Sequence, residues 1–398
     1  MHYEAEKGGH HHLLAITNAK IYTVTDGVIE QGSILMQGGK ITAVGKSVSI
    51  PAEAQVIDAK GAIITPGFID EHTHVGGWEE GLGWEGADFN EWTNPVTPHV
   101  SILDGINPAD IGFADARKGG VTTVQITPGS SNIIGGLMLA LKTSGTIVDK
   151  MVLKYPTGMK SALGENPKST YGSQGKAPAT RMGSAALLRE ALLSAKQYVA
   201  KQERGDKDWK FDQKLDNLAK VIRKEIPLRI HAHRADDILT AIRIGKEFDI
   251  NFTIEHCTEG HLIADEIVKN NVTACVGPTI WRRAKVETKN ISPTTAAVIT
   301  RAGGKVAIIT DHNIVPQHYF RIAVGVCIRE GMPEEEALKA ITINAAEIIG
   351  VADRVGSLEV GKDADLAMWS GDPFEPLTHC LLTVIDGEIV YQRCEEGK

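Results

Sequence analysis

The sequence has little cysteine: 5 residues in 398, scattered, with no C-x-x-C spacing. An odd, dispersed set offers neither a disulfide framework nor a thiolate zinc site, and it suits a reducing compartment. No segment approaches the roughly 18 uninterrupted apolar residues that a membrane-spanning helix needs. The polar start, Met1 to His12, contains no apolar run of signal-peptide length. Dense Lys/Arg blocks are missing too. The 42 Lys and Arg stand against 50 Asp and Glu, a net charge of -8, which argues against a nucleic-acid partner. The expectation is a cytoplasmic protein acting on a small molecule, with neither nucleic acid nor membrane as partner. The run His10-His11-His12 is read as a solvated leader rather than a metal-binding tract.

What is present is an ordinary globular balance, 42% hydrophobic and 23% charged, enough for a large core. Over residues 13–64 short β-prone runs alternate with turn signals such as Asp26-Gly27 and Gly38-Gly39, the grammar of a small antiparallel sheet. After Pro66-Gly67 apolar strand-like runs are followed by helical stretches, as in repeated βα units. Eight strands are expected there, over residues 68–74, 121–127, 151–156, 159–165, 228–233, 251–257, 272–277 and 306–311. Between the fourth and fifth, Leu188, Leu192, Ala195 and Val199 share one helical face. From Gly356 short strands return, with Asp386-Gly387 as a further tight turn. The fold expected is therefore α/β: a (β/α)8 barrel over 66–355, with 13–65 and 356–395 joining into one small β domain built from both chain ends.

Chemistry gathers at the expected strand ends. His72 and His74, in FIDEHTHVG, lie two apart, so in a strand both imidazoles face the same way and can converge on one ion. Nitrogen ligands of this kind suit Zn²⁺ and related divalent metals. His231 and His233 end the fifth strand in RIHAH, His256 the sixth in FTIEHC, and Asp311 the eighth in IITDH. Catalytic residues of such barrels sit at the C-terminal ends of strands, so a metal site at the barrel mouth explains the whole constellation. His312, next to Asp311, should face the other way.

The order PGFIDEHTH, RIHAH, FTIEHC, IITDH resembles the amidohydrolase superfamily. The C-terminal NAAEIIGVADRVGSLEVGKDADLAMWSGDP is similar to the closing segment of its imidazolonepropionase-like and dipeptidase-like branches. The resemblance spans about residues 13–391 and implies a distorted (β/α)8 TIM barrel with a composite β-sandwich, one or two divalent metals, and hydrolysis of a C–N bond. Carried onto this chain, it makes His72, His74, His231, His256 and Asp311 metal ligands. Asp311 also accepts the proton of the attacking water, a double task that suits a carboxylate kept ionised by a cation. Where the family commonly bridges two metals through a carbamylated lysine, GMKSALGENPK offers Glu165 at the strand end, the expected bridge, with Lys160 as the rival. Zn²⁺ is the expected metal, Mn²⁺ or Fe²⁺ the alternatives.

Asp311, His256 and His233 are the expected catalytic set, His233 also serving as a substrate contact. Asn132 in TPGSSNIIGG, Tyr171, and the Arg282-Arg283 pair, suited to clamping a carboxylate, complete the expected substrate-binding residues. Trp78, Trp84, Trp92 and Phe89 follow His74 and fit a cover over the site, a contact in a homo-oligomer, or ordinary loop packing. The expected substrate is a small, carboxylate-bearing cyclic amide, dipeptide or N-acyl amino acid. A deaminase of the same superfamily and a non-catalytic barrel scaffold are the competing readings. A serine or cysteine hydrolase has no support, because GxSxG is absent and Cys257 should face away from His256.

Overall fold

The computed structural model describes residues 13–394, so the His10–His12 tract lies outside the described residues. The first strands follow the turn chemistry closely: β1 (Leu13–Tyr22), β2 (Val28–Gln37), β3 (Lys40–Gly45), β4 (Gln55–Asp58) and β5 (Ile63–Pro66). Between β2 and β3, Gly38 and Gly39 both have positive φ (59° and 78°), the backbone that a two-residue hairpin requires to match strand twist. Asp386 and Gly387 (50° and 76°) do the same between β15 (Cys380–Ile385) and β16 (Glu388–Gln392). With β14 (Leu366–Trp369), these strands form one eight-stranded sheet of order β16-β15-β14-β5-β1-β2-β3, β4 pairing with β1. Strands from the two ends of the chain thus meet where β14 pairs antiparallel with β5.

A second, separate eight-stranded sheet curls into a nearly closed barrel. Its strands, in spatial order, are β6 (Phe68–Thr73), β7 (Val121–Ile126), β8 (Ile134–Lys142), β9 (Val152–Ala162), β10 (Leu228–Ala232), β11 (Phe252–His256), β12 (Thr273–Val276) and β13 (Val306–Ile308). A single parallel bridge, Thr73 to His312, joins the first and last staves, and the His74 amide donates to the His312 carbonyl at 2.9 Å.

Two strand expectations need correction. The segments 151–156 and 159–165 are not separate staves: one strand, β9, runs through both and ends at Ala162. Pro156 is tolerated inside it because the β8–β9 register shifts between Met138 and Ala140, and an irregularity is where proline fits in a sheet. The third stave is β8, from a segment to which no strand was assigned, and it runs antiparallel to both neighbours. Too few residues separate Ile126 from Ile134 for a crossover helix, so the chain has to double back. The amphipathic helix expected before the fifth strand is present as Arg181–Glu203, with Leu188, Leu192, Ala195 and Val199 buried. No helix among the described residues is long and apolar enough to cross a membrane.

Because β8 runs backwards, its C-terminal end faces the other sheet, and Lys142 is delivered there. Its ammonium contacts Asp363 at 2.8 Å, Asp365 at 2.8 Å and Asp386 at 3.1 Å. Burial alone would lower the Lys142 pKa, but Asp365, Asp386 and Asp363 together raise it. Phe68 of the barrel stacks on Trp369 of the other sheet, with ring centroids 5.0 Å apart. The prediction is that Lys142→Met, which leaves buried Asp365 without its cation while Asp363 keeps Lys40 and Arg354, costs about 3–5 kcal/mol in urea denaturation. Lys224→Met, whose partner Asp249 is 90% exposed, should cost under about 1 kcal/mol. Equal losses would show that the buried cluster contributes nothing special.

Candidate metal centre

All of β6 is buried, and its end presents His72 and His74 to the mouth. The His72 Nδ1–H donates to Glu255 Oε2 at 2.6 Å and the His74 Nδ1–H to the Thr127 carbonyl at 2.8 Å, which leaves each Nε2 unprotonated and able to accept. On β10, His231 is buried with no hydrogen-bond partner at either ring nitrogen. In β11, Glu255 is in register with His231, so simple alternation would turn His256 away from the lumen. His256 instead adopts φ 70°, and its Nδ1–H donates to the Gly277 carbonyl at 2.9 Å. Asp311 does likewise beyond β13, with φ 54°. Left-handed backbone in non-glycine residues costs on the order of 1 kcal/mol or more and clusters at functional sites.

The result is two adjoining groups. His72, His74 and Asp311 form one, and His231, His233 and His256 the other; within each, the candidate ligand atoms lie within 4.8 Å of one another. Asp311 Oδ1 is 3.3 Å from His74 Nε2 and 3.7 Å from His72 Nε2. Burial holds the His72 pKa down at about 4, aided by the charge of Lys160. Burial likewise holds His233 at about 4, with Glu287 opposing and Lys285 reinforcing. His231 and His256 are pushed well below the ordinary imidazole range by burial and by neighbouring imidazoles. These rings are neutral near pH 7, the state that binds metal. Burial would raise the Asp311 carboxyl, but His256 and His74 outweigh it and keep the group ionised.

The structure separates the remaining expected residues. Lys160, not Glu165, reaches the centre: its Nζ is 3.2 Å from His72 Nε2, and burial pulls its pKa down to about 8 despite nearby carboxylates. Glu165 begins the helix Glu165–Gly172, where its carboxylate accepts from the Glu287 amide at 3.1 Å. The strand ends at Ala162, so the alternation that aims Lys160 inward does not extend to Glu165. Asn132 and Tyr171 are buried and bonded to each other, and the Asn132 amide also donates to Glu91 O and Thr97 Oγ1. They pin loops and are not open to a substrate. Arg282 and Arg283 are exposed, Arg283 donating to the Lys289 carbonyl at 2.8 Å. Of the loop aromatics, Phe89 packs on His74 at 4.8 Å and Trp78 stacks on Phe89 at 4.7 Å, whereas Trp84 is 79% exposed. His312 turns away from the centre, its Nε2 3.4 Å from Glu80. Cys257 is buried and its thiol is pushed up to about 12 by that burial and by Glu255, so it is no nucleophile at neutral pH.

Sequence reasoning assigned no role to Glu255, Arg229, Glu287 or Lys285. Glu255 was open to discovery, since it occupies the lumen-facing register position beside His231. Glu287 was not: it arrives on the short 3-10 turn Val286–Thr288, fully buried, with Oε1 3.8 Å from His231 Nε2 and 3.7 Å from His233 Nε2. Gly164 makes room for it, because a Cβ there would stand 2.7 Å from Glu287 Oε2.

The donor set fits a divalent cation. His74 and His256 have Nδ1 engaged and Nε2 left for a ligand, the arrangement that orients histidine ligands; His72 is oriented the same way, its Nε2 facing Lys160; and buried His231 has both nitrogens unpartnered, one of which a metal would satisfy. Comparison with known proteins agrees. The amidohydrolase family model matches residues 63–391. A crystal structure of an amidohydrolase from Thermotoga maritima MSB8 is 41% identical, superposes with a TM-score of 0.92, and covers 96% of this chain and 100% of that one. The amidohydrolase tasK of Hapsidospora irregularis is 27% identical over 86% of this chain, which spans only 38% of that relative's length. The imidazolonepropionase of Sphingopyxis alaskensis is 24% identical over 96% of both chains. The chain belongs to the amidohydrolase family and is a hydrolase acting on C–N bonds.

Proposed function

We propose that this protein uses one or two divalent metal ions, Zn²⁺ first among them, to hydrolyse a small cyclic amide, dipeptide or N-acyl amino acid that carries a carboxylate. The observation that supports this most is the pair of adjoining ligand groups, His72/His74/Asp311 and His231/His233/His256, at the end of a buried strand array. The hydrolase unit is then the segment 66–355, with 13–65 and 356–395 as its companion. The name imidazolonepropionase among the relatives denotes a ring amide bearing a propionate, in line with the cyclic alternative.

His72, His74, His231, His256 and Asp311 would hold the metal, with Lys160 rather than Glu165 as the residue available to join the two groups. A bound divalent cation supplies positive charge that polarises the substrate carbonyl and makes a water easier to deprotonate. The protein's own part is proton handling and orientation. Asp311, ionised and beside His74, accepts a proton at Oδ1 from the attacking water and returns it to the leaving nitrogen. Glu255 holds the His72 Nδ1–H, so that Nε2 stays unprotonated. His233, anchored through Nδ1 on Thr258 Oγ1 at 2.6 Å, offers Nε2 to the substrate side.

Asp311→Asn should lower kcat by about 10²–10⁴-fold in steady-state hydrolysis of the best substrate from a screen of N-acyl amino acids, dipeptides and cyclic ureides. An Asn variant as active as the parent would rule Asp311 out as the proton carrier. Lys160→Met should lose bound metal by atomic absorption, while Glu165→Gln keeps the parent's content; the reverse result would restore Glu165 as the bridge. A third expectation concerns acid. His72 binds its proton at about 4 when folded against its ordinary 6.5, so between these values the unfolded chain holds a proton the folded one lacks. Stability of the metal-free protein should therefore fall as pH is lowered from 6.5 to 4. His72→Gln should flatten that slope in urea midpoints.

A further inference from the structure

Arg282 and Arg283 stand outside the centre, but the same loop carries another cation into it. The Lys285 side chain is 27% exposed; its ammonium donates to Asn166 Oδ1 at 2.8 Å and lies 3.4 Å from Glu287 Oε1. That same Glu287 oxygen faces His231 and His233. The ammonium is thus one carboxylate away from the three-histidine group, and it retains some access to solvent. An ammonium has three N–H donors, and the two acceptors leave one unclaimed. Lys160, by contrast, is sealed from water and lies against His72.

The position of Lys285 is held by a reciprocal clasp. The Glu165 amide donates to Glu287 Oε2 at 2.8 Å, and the Glu287 amide donates to Glu165 Oε2 at 3.1 Å. This clasp ties the turn after β9 to the loop after β12 across the ends of β10 and β11, the strands that bring His231, His233 and His256. Asn166, next to Glu165, is in turn fixed to Ser130 Oγ at 2.7 Å. A cation held in advance loses less conformational entropy when it meets its ligand.

We propose that Lys285 is a specificity-determining residue of this site, the ammonium that receives the substrate's carboxylate beside the His231/His233/His256 group. The inference rests on the hydrolase reading above and narrows it to amides whose acid group lies close to the scissile C–N bond, as the α-carboxylate does in a dipeptide or N-acyl amino acid. A lysine recognises that group as a point charge rather than through a two-pronged fork, so it admits carboxylates in more than one orientation. Partial burial strengthens the attraction relative to an exposed pair.

The test compares the best substrate of the screen with its carboxamide-capped counterpart, using the full-length metal-loaded enzyme and its Lys285→Met, Lys285→Arg and Arg282→Ala/Arg283→Ala variants. The parent should favour the free acid by about tenfold to a hundredfold in kcat/KM, the range expected for a hydrogen bond to a charged group. In Lys285→Met that ratio should fall to near one, chiefly through KM; Lys285→Arg should keep most of it, and the double alanine variant all of it. Should Lys285→Met not fold by circular dichroism, Lys285→Gln, which retains a donor for Asn166, carries the same comparison. A preference for the free acid that survives loss of the Lys285 charge overturns the assignment and leaves the hydrolase reading intact. A parent enzyme that does not discriminate, or that hydrolyses neither form, overturns the carboxylate-bearing substrate and Lys285 with it.

Discussion

Arg229 has no contact with water, and the barrel's chemistry is organised around that fact. Its Nε donates to Glu255 Oε1 at 2.7 Å and its Nη2 pairs with Glu71. Burying one cation between two carboxylates is tolerable only if the charges are matched, and the pKa directions show how. Burial opposes ionisation of Glu255, but Arg229 and His72 hold it far below the usual carboxylate range. Glu71 is pushed up by burial, against Arg229, to about 7. Glu255 is thus the more readily ionised of the two, and its second oxygen takes the His72 Nδ1–H. The orientation of the first histidine of the centre is thus set by a guanidinium deeper in the barrel.

Above that layer the constraint changes from charge to backbone. His256 and Asp311 lie at or beyond strand ends and point where they do because the chain turns left-handed at each. Regular strand geometry would have sent the imidazole of His256 outward, since Glu255 already holds the inward position. The cost is local, and the nearly closed sheet beneath offsets it: β10 through β13 are parallel, in register and buried. Rigid staves with strained tips are a common way to aim side chains from distant parts of a chain at one point.

The loops divide between packing and function in a way that residue type did not foretell. The Arg282-Arg283 pair looked suited to an acid and is solvated; a single lysine further along the same loop enters the mouth. Asn132 and Tyr171 satisfy each other, as buried polar groups must. Phe89 covers His74, while Trp84, of the same loop and more hydrophobic bulk, faces solvent. Glu165 trades a ligand's place for a clasp with Glu287, leaving the lysine two residues before the strand end nearest to His72.

Much was legible without coordinates. The hairpins at Gly38-Gly39 and Asp386-Gly387 followed from the few residues that accept their backbone angles, and the buried face of Arg181–Glu203 from its spacing. His72, His74, His231, His256 and Asp311 are brought together here, as their places at the ends of strand-like runs anticipated, because a strand's length and phase are local properties. The direction of β8 was less visible, since apolar residues look alike whichever way a strand runs; only the shortness of its connection signals reversal. What the three-dimensional structure alone decided is which charged and titratable groups share a space: Arg229 with Glu255 and Glu71, Lys142 with Asp363, Asp365 and Asp386, Glu287 with His231 and His233. Charge pairing depends on distances of a few ångströms between residues far apart in the chain, and local patterning in the sequence carries no record of those distances.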